Sequence, residues 1–381
     1  MEPWRLFWAK TNREKIEGLP AEWTHPLWAH LLDVGNAAQV LWDRFLPAAL
    51  KRKMAEALGM DEEAAGRFLS IWIGLHDLGK GIPGFQEMHE PTKEKLITAG
   101  LAFHERLNRL HHGHASIAIV HNWLRAKNLP YDTLLDAAAA CVGIHHGKLC
   151  RDEVWYSVAE EKRPNSALGG PTWKSVQLEL AEAVFAAWGA PWPDPKHPSA
   201  TSLDRAPWPD WLMAFAGWAT LADWLGSMQS CYDLSVQACD DLASYLPRSR
   251  AGAERAYATA GLHQQAALRT LSFTEHFGEN FIPRPLQEIA RDLALPTSGP
   301  HLVVVEAPTG EGKTEAAFYL AARLGGGMYV AMPSQATSDG LFPRLRDFLA
   351  GDLKRKLLGA HAGDTAALRL VHGNDLLRAV S

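Results

Sequence analysis

IWIGLHDLGKGIPGF, Ile71 to Phe85, is the stretch on which the reading of this chain turns. Phe68, Leu69, Ile71, Trp72, Leu75 and Leu78 recur at helical spacing, so residues 61–80 read as one helix with a core-facing stripe. His76 and Asp77 lie side by side beyond that stripe. Adjacent residues on a helix diverge by about 100°, so one metal ion can take the imidazole while the carboxylate also reaches a second. Lys80 follows within a turn and returns its ammonium to the same side. Gly79 and Gly81 read as the helix end, opening the surface above the pair. A bare His-Asp doublet also fits a core-bonded histidine beside a solvated aspartate, so the rest of the chain has to decide.

Working outward, further histidines and one isolated aspartate accumulate. Thr24–Val40 reads as a helix with Thr24 as N-cap and Pro26 in the first turn; Leu27, Leu31, Val34 and Ala38 form its apolar face, and His30 lies within it. His111, His112 and His114 crowd the start of an apolar run, Ile117–Val120. A surface cluster and a ligand role both fit them. Asp136–Ile144 reads as a small-residue helix leading to His145-His146, and neutral imidazoles are common ligands for borderline metals. Residues 151–210, rich in Pro, Gly and Trp, read as an irregular lobe with one helix at Ser175–Trp188. Trp211–Ser230 then places a single carboxylate, Asp223, in an apolar helix. A buried carboxylate is costly unless paired or bound to a cation, which makes Asp223 a metal-ligand candidate.

Composition bounds the rest. The 381 residues, 47% hydrophobic and 21% charged, describe a globular chain of two domains. A net charge of −5 excludes a uniformly basic nucleic-acid coat, so any such contact is a local groove. The fifteen tryptophans read as core and interface residues. Cys141, Cys150, Cys231 and Cys239 form no CxxC pair and read as buried free thiols of a reducing cytoplasm. The N-terminus lacks a signal-peptide pattern. The most apolar stretches are too short or carry Asp223, so no membrane segment is expected.

The second half changes character. Residues 241–275 read as a linker and helix. His301–Glu306, HLVVVE, reads as a buried parallel-type strand, followed by APTGEGKT and an amphipathic helix. That is a Walker A loop in strand–loop–helix context. Thr309, Gly310, Glu311, Gly312, Lys313 and Thr314 would cradle phosphates on backbone N–H groups. Lys313 would neutralise them and Thr314 would ligate Mg²⁺. Met328–Met332 reads as a second strand, Leu341–Leu349 as a helix and Val371-His372-Gly373 as a strand end.

The order His30, His76-Asp77, a histidine near 112, His145-His146 and Asp223 resembles the HD phosphohydrolase superfamily. The phrases HLLDVG, HDLGK, HHGHAS, IHHGK, LADWLGS, FIPRPLQ, APTGEGKTEAA and MPSQATSDG together resemble the helicase-nuclease of type I CRISPR systems, over essentially the whole chain. The resemblance implies a mainly α HD-domain helical bundle over 1–240, then an incomplete α/β RecA-like helicase domain over 276–381. It implies a nuclease on single-stranded DNA, recruited by an RNA-guided surveillance complex. The ligands it implies are His30, His76, Asp77, His112, His145, His146 and Asp223, with His111 and His114 as alternatives to His112. These would hold two divalent ions, Mn, Fe, Co or Ni, bridged by Asp77, with Lys80 contacting a substrate phosphate. Gln287 resembles the Q motif, which pairs with adenine, so ATP and Mg²⁺ are implied for the complete helicase. No Asp-Glu dipeptide follows Thr314, so the acidic box of such motors is absent and the chain reads as the N-terminal portion of a longer protein. A phosphohydrolase of small nucleotides and a non-catalytic docking fragment are the competing readings.

Overall fold

A computed structural model of the chain describes residues 2–12, 16–20, 22–104, 110–127, 143, 167–194, 210–262, 271–295, 301–324, 330, 332, 337, 339–345, 348, 369–372 and 375–379. The chain divides into two compact units, Met1–Ala260 and Gly261–Ser381.

The first unit is mainly helical, with one small sheet. Strands β1 (Trp8–Thr11) and β2 (Thr24–Pro26) pair antiparallel, with Lys10 opposite His25. Thr24 is therefore a strand residue, not a helix cap. The chain is extended through Pro26, and helix α1 runs Leu27–Arg44. Helices α2 (Ala48–Leu58) and α3 (Glu62–Gly74) follow, with Asp61 capping α3 through the Ala64 N–H at 2.7 Å. Short helices α4 (Pro83–Gln86) and α5 (Glu90–Thr98) lead to α6 (His112–Ala126), α7 (Gly170–Trp188), α8 (Asp210–Gly226) and α9 (Leu242–Ala260).

Helix α1 is the centre of this unit. Its apolar residues Leu27, Trp28, Leu31, Leu32, Val34, Ala37 and Val40 are all fully buried, because α3, α8 and α9 pack around it. Gly74 allows α3 to approach closely: a Cβ there would stand 2.6 Å from the Leu31 carbonyl oxygen. The stripe Phe68, Leu69, Ile71, Trp72, Leu75 and Leu78 is buried, as its spacing predicts.

Three boundaries differ from the sequence reading. The helix expected over 61–80 ends at Gly74 and continues as a 3-10 turn, Leu75–Lys80, in which Asp77 departs from helical angles (φ −105°, ψ 16°). The helix at Ser175–Trp188 begins earlier, at Gly170. The helix expected beside a linker over 241–275 is α9, whose residues fall within the first unit. Its Tyr245 hydroxyl donates to Asp33 Oδ1 at 3.0 Å, and Asn36 Nδ2 donates to Ser249 Oγ at 3.0 Å, so buried polar bonds fix it to α1. Cys231 is buried as expected but Cys239 is exposed; Cys141 and Cys150 lie outside the described residues. No helix among the described residues is long and apolar enough to cross a membrane.

The second unit has helices α10 (Phe273–Phe277), α11 (Pro285–Asp292) and α12 (Lys313–Leu324), and an antiparallel hairpin of β3 (Arg369–His372) and β4 (Asp375–Ala379). Two apolar clusters hold it, Ala290–Ala316–Leu320 and Phe318–Ala322–Phe348. The expected strand His301–Glu306 is irregular here, with Leu302 91% and Val304 79% exposed. A parallel strand needs neighbours on both edges and cover on both faces. Among the described residues no strand pairs with it, and no RecA-like sheet is formed. Residues 328, 329 and 331 of the second expected strand lie outside the described residues; Val330 and Met332 are irregular.

Candidate metal centre

Four side chains from three elements meet beside α1. His30 comes from the first turns of α1, His76 and Asp77 from the 3-10 turn, and Asp223 from the last turn of α8. The change to 3-10 geometry matters, since with three residues per turn side chains at i and i+3 eclipse, which stacks Lys80 over Asp77. His30 Nε2 lies 3.0 Å from Asp77 Oδ2. His76 Nε2 lies 3.2 Å from both Asp77 Oδ2 and Asp223 Oδ1, and its Nδ1 is 3.3 Å from the Gly74 carbonyl. His112, first residue of α6, brings Nε2 to 3.4 Å from Asp77 Oδ1. The two Asp77 oxygens therefore face different imidazoles.

His111 instead caps α6, its Nδ1 accepting from the Gly113 N–H at 3.3 Å. Gly79 lets α6 approach: a Cβ there would collide with the His112 carbonyl, and its N–H donates to Ser116 Oγ at 2.8 Å. Gly79 thus serves close packing instead of opening the surface above the pair. His145 and His146 lie outside the described residues.

The electrostatics follow from burial. Burial disfavours charge on His76, but the Asp77 and Asp223 carboxylates outweigh it and raise its pKa to about 9. Burial, with the charge of Lys10 nearby, holds His30 well below its ordinary value. Burial also works against the Asp77 carboxylate, yet His76 and Lys80 hold its pKa well below the usual range. Lys80 is buried, with Nζ 2.5 Å from Asp77 Oδ2 and 5.7 Å from the Phe85 ring centre.

One donor atom from each of His30, His76, Asp77 and Asp223 lies within 4.8 Å of the others. Imidazoles and carboxylates converging in a buried pocket suit a borderline divalent metal, so this donor set fits one. Sequence reasoning missed two supports. Asp33, on α1 beside His30, is held by Tyr245 and by His25 Nε2 at 2.8 Å. The Gln86 amide joins β1 to the 3-10 turn, accepting from the Trp8 N–H at 3.2 Å and donating to the Trp8 and Lys80 carbonyls at 3.0 and 2.8 Å. Neither Gln86 nor His25 stands in a motif, so only tertiary structure reveals them.

In the second unit, Gly310 and Gly312 adopt positive φ (93° and 77°) in the loop before Lys313, which starts α12. Lys313 Nζ donates to the Ala307 and Pro308 carbonyls at 2.6 and 2.8 Å. Thr309 and Gly310 are exposed, while Glu311 and Thr314 are half-buried. Gln287 is buried. Its Oε1 accepts from the Arg284 N–H at 2.9 Å and its Nε2 donates to the Gly312 carbonyl at 3.3 Å, so its amide caps α11 and braces the loop.

A buried His/Asp cluster able to hold a metal, set on a helical bundle, is the arrangement of an HD-type domain. The family model for "Cas3, HD domain" matches residues 8–232, and the chain belongs to that family. It is 37% identical over 363 residues to the CRISPR-associated endonuclease/helicase Cas3 of Thermus thermophilus, covering 93% of this chain and 36% of that protein. It is 26% identical to the CRISPR-associated endonuclease/helicase Cas3 of Escherichia coli, covering 98% of this chain and 42% of that protein. Among solved structures, a CRISPR-associated protein matches with TM-score 0.57 and 30% identity, over 94% of this chain and 39% of that one. T. fusca Cas3-AMPPNP matches with TM-score 0.51 and 28% identity, over 91% and 37%. The chain therefore spans well under half the length of these relatives.

Proposed function

We propose that the first unit is a metal-dependent nuclease hydrolysing phosphodiesters of single-stranded DNA. On this reading the chain is the N-terminal part of an ATP-dependent helicase-nuclease of CRISPR defence, recruited to an R-loop opened by an RNA-guided surveillance complex. The observation that carries the reading is the convergence of His30, His76, Asp77 and Asp223 in a Cas3 HD-family domain. Divalent ions held there, two of Mn, Fe, Co or Ni, would supply Lewis acidity and an activated water. His30, His76 and Asp223 would hold one ion and His112, His145 and His146 the other, with Asp77 as the ligand shared by both. Lys80 holds positive charge beside Asp77, where a substrate phosphate would enter. In the second unit, Thr309, Gly310, Glu311, Gly312, Lys313 and Thr314 form a phosphate cradle for ATP, with Gln287 beside it, in an incomplete first RecA-like domain. Support comes from the positive-φ glycines and from Lys313 at the helix start.

The test uses purified 1–381 with circular single-stranded DNA and with mononucleotides, in Mn²⁺, Co²⁺, Ni²⁺ or chelator. Metal-dependent cleavage of the circle supports the nuclease. Turnover of mononucleotides alone would replace it with a small-nucleotide phosphohydrolase. Inactivity on both, without bound metal, would leave a docking fragment.

A further inference from the structure

Asp223 is the most open of the four clustered donors. Its side chain is 14% exposed, against 0–3% for His30, His76 and Asp77. It is also held differently. Ser227, one turn further on, donates its hydroxyl proton to Asp223 Oδ1 at 3.0 Å, the same oxygen that lies 3.2 Å from His76 Nε2. Lys10 Nζ in turn donates to Ser227 Oγ at 2.9 Å. A hydroxyl has a single proton and accepts through its lone pairs. With an ammonium donating to it, Ser227 has its own proton left for the carboxylate, so the chain of bonds runs one way, from Lys10 through Ser227 to Asp223.

The origin of Lys10 makes this bond informative. It stands on β1, where the pairing with His25 on β2 fixes one edge of the strand and the Gln86 amide fixes the other at Trp8. The strand that presents Lys10 is thus braced by the same glutamine that holds the Lys80 carbonyl. Lys10 also lines a small cavity with His30 and Ser227.

We propose that Lys10 is a positioning residue for the metal ligand Asp223, acting through Ser227. It fixes the direction of the Ser227 hydroxyl and thereby the rotamer of a carboxylate that burial alone does not hold. The inference rests on the metal-dependent reading of the cluster. Outer partners of metal ligands typically change affinity by about 10–100-fold when removed.

The experiment measures Mn²⁺ and Co²⁺ affinity of the full 1–381 chain by chelator competition, with circular dichroism melting to check folding. Lys10→Met and Ser227→Ala should each weaken affinity by about 10–100-fold. The double variant should be no weaker than the weaker single, because the two act in series. Ser227→Thr, which keeps the hydroxyl, should retain most of the affinity. For Lys10→Met, saturating metal should restore kcat on single-stranded DNA with KM unchanged. Parental metal affinity with a raised KM would make Lys10 a DNA contact and overturn the inference. Should Lys10→Met fail to fold, equal affinity in Ser227→Ala and the parent would overturn it as well. A parent chain that binds neither metal removes the nuclease reading and this inference together; a parent that binds, with all variants unchanged, removes this inference alone.

Discussion

HDLGK in the first unit and GEGKT in the second are both short motifs built around a lysine, yet they are completed in opposite ways. HDLGK supplies only part of its cluster; His30 and Asp223 arrive from helices far away in sequence, and the meeting point is enclosed to 0–14% side-chain exposure. GEGKT makes its bonds within its own loop and to α11. Lys313 is tied to carbonyls of its own loop and Gln287 reaches in from α11, while Thr309 and Gly310 stay exposed. A site assembled across a packed core depends on every element that carries a donor. A loop closed on itself keeps its shape with less around it, but presents only one wall to a ligand.

The sharpest break in that comparison is Asp77→Ala. Its carboxylate faces His30, His76, His112 and Lys80 together, so its removal should abolish nuclease activity. The loss should exceed the roughly 100-fold that outer partners of metal ligands cost. Metal content by elemental analysis should fall, while circular dichroism keeps its helical signal. Full activity in this variant would sink the site assignment. Lys80→Ala should slow cleavage less, by about 100-fold, near the lower end for losing one preorganised donor. Bound metal should be unchanged. A parallel fall in metal content would mean that Lys80 holds the cluster together structurally.

A smaller effect sharpens the electrostatic side. In metal-free protein the folded pKa of His76 stands at about 9, above its ordinary 6.5. A raised histidine pKa contributes stability that is fully present below 6.5 and lost as pH rises through 9. His30 is held neutral, so its penalty for charging falls below its ordinary value and outside this window. The Tm of chelator-treated protein should therefore fall between pH 6.5 and 9. Saturating metal, which takes the imidazole in its neutral form, should flatten that fall. A chelated Tm that holds level or rises across the window would contradict the charged His76.

Much of the first unit was legible because its signals are local. The stripe from Phe68 to Leu78 and the isolated Asp223 follow from periodicity and from the cost of burying charge. The 3-10 turn was not legible, because α3 stops at Gly74, where its backbone meets Leu31 of another helix. Thr24 looked like a cap because nothing in its own segment reveals a partner strand at Trp8–Thr11. The polar, alanine-rich helix α9 reads as a helix beside a linker, but its place against α1 is not legible, since the bonds from Tyr245 and Ser249 that fix it there are contacts at long sequence separation. Lys10 and Ser227 escaped notice for the same reason. The loop before Lys313 does carry positive-φ glycines at 310 and 312, whereas the strand expected before it depends on neighbours that the described residues do not provide.

The last prediction carries the smallest expected effect, which is none. On the proposed reading, Thr309–Thr314 and Gln287 would supply one side of a nucleotide site. In complete helicases a second RecA-like domain closes the cleft and an acidic box holds Mg²⁺ and orients water. No Asp-Glu dipeptide follows Thr314 in this chain. Nucleotide binding by 1–381 should therefore be weak and hydrolysis at background. Phosphodiester hydrolysis at the His/Asp cluster is downhill and draws nothing from ATP, so cleavage of single-stranded DNA should run at the same rate with and without it. Duplex DNA should resist processive degradation under either condition. Parallel assays on single-stranded and duplex substrates, with metal fixed and ATP varied, measure both halves of this expectation. ATP-stimulated degradation of duplex would show that the second unit is a working motor, and that a loop closed on itself needs no second wall.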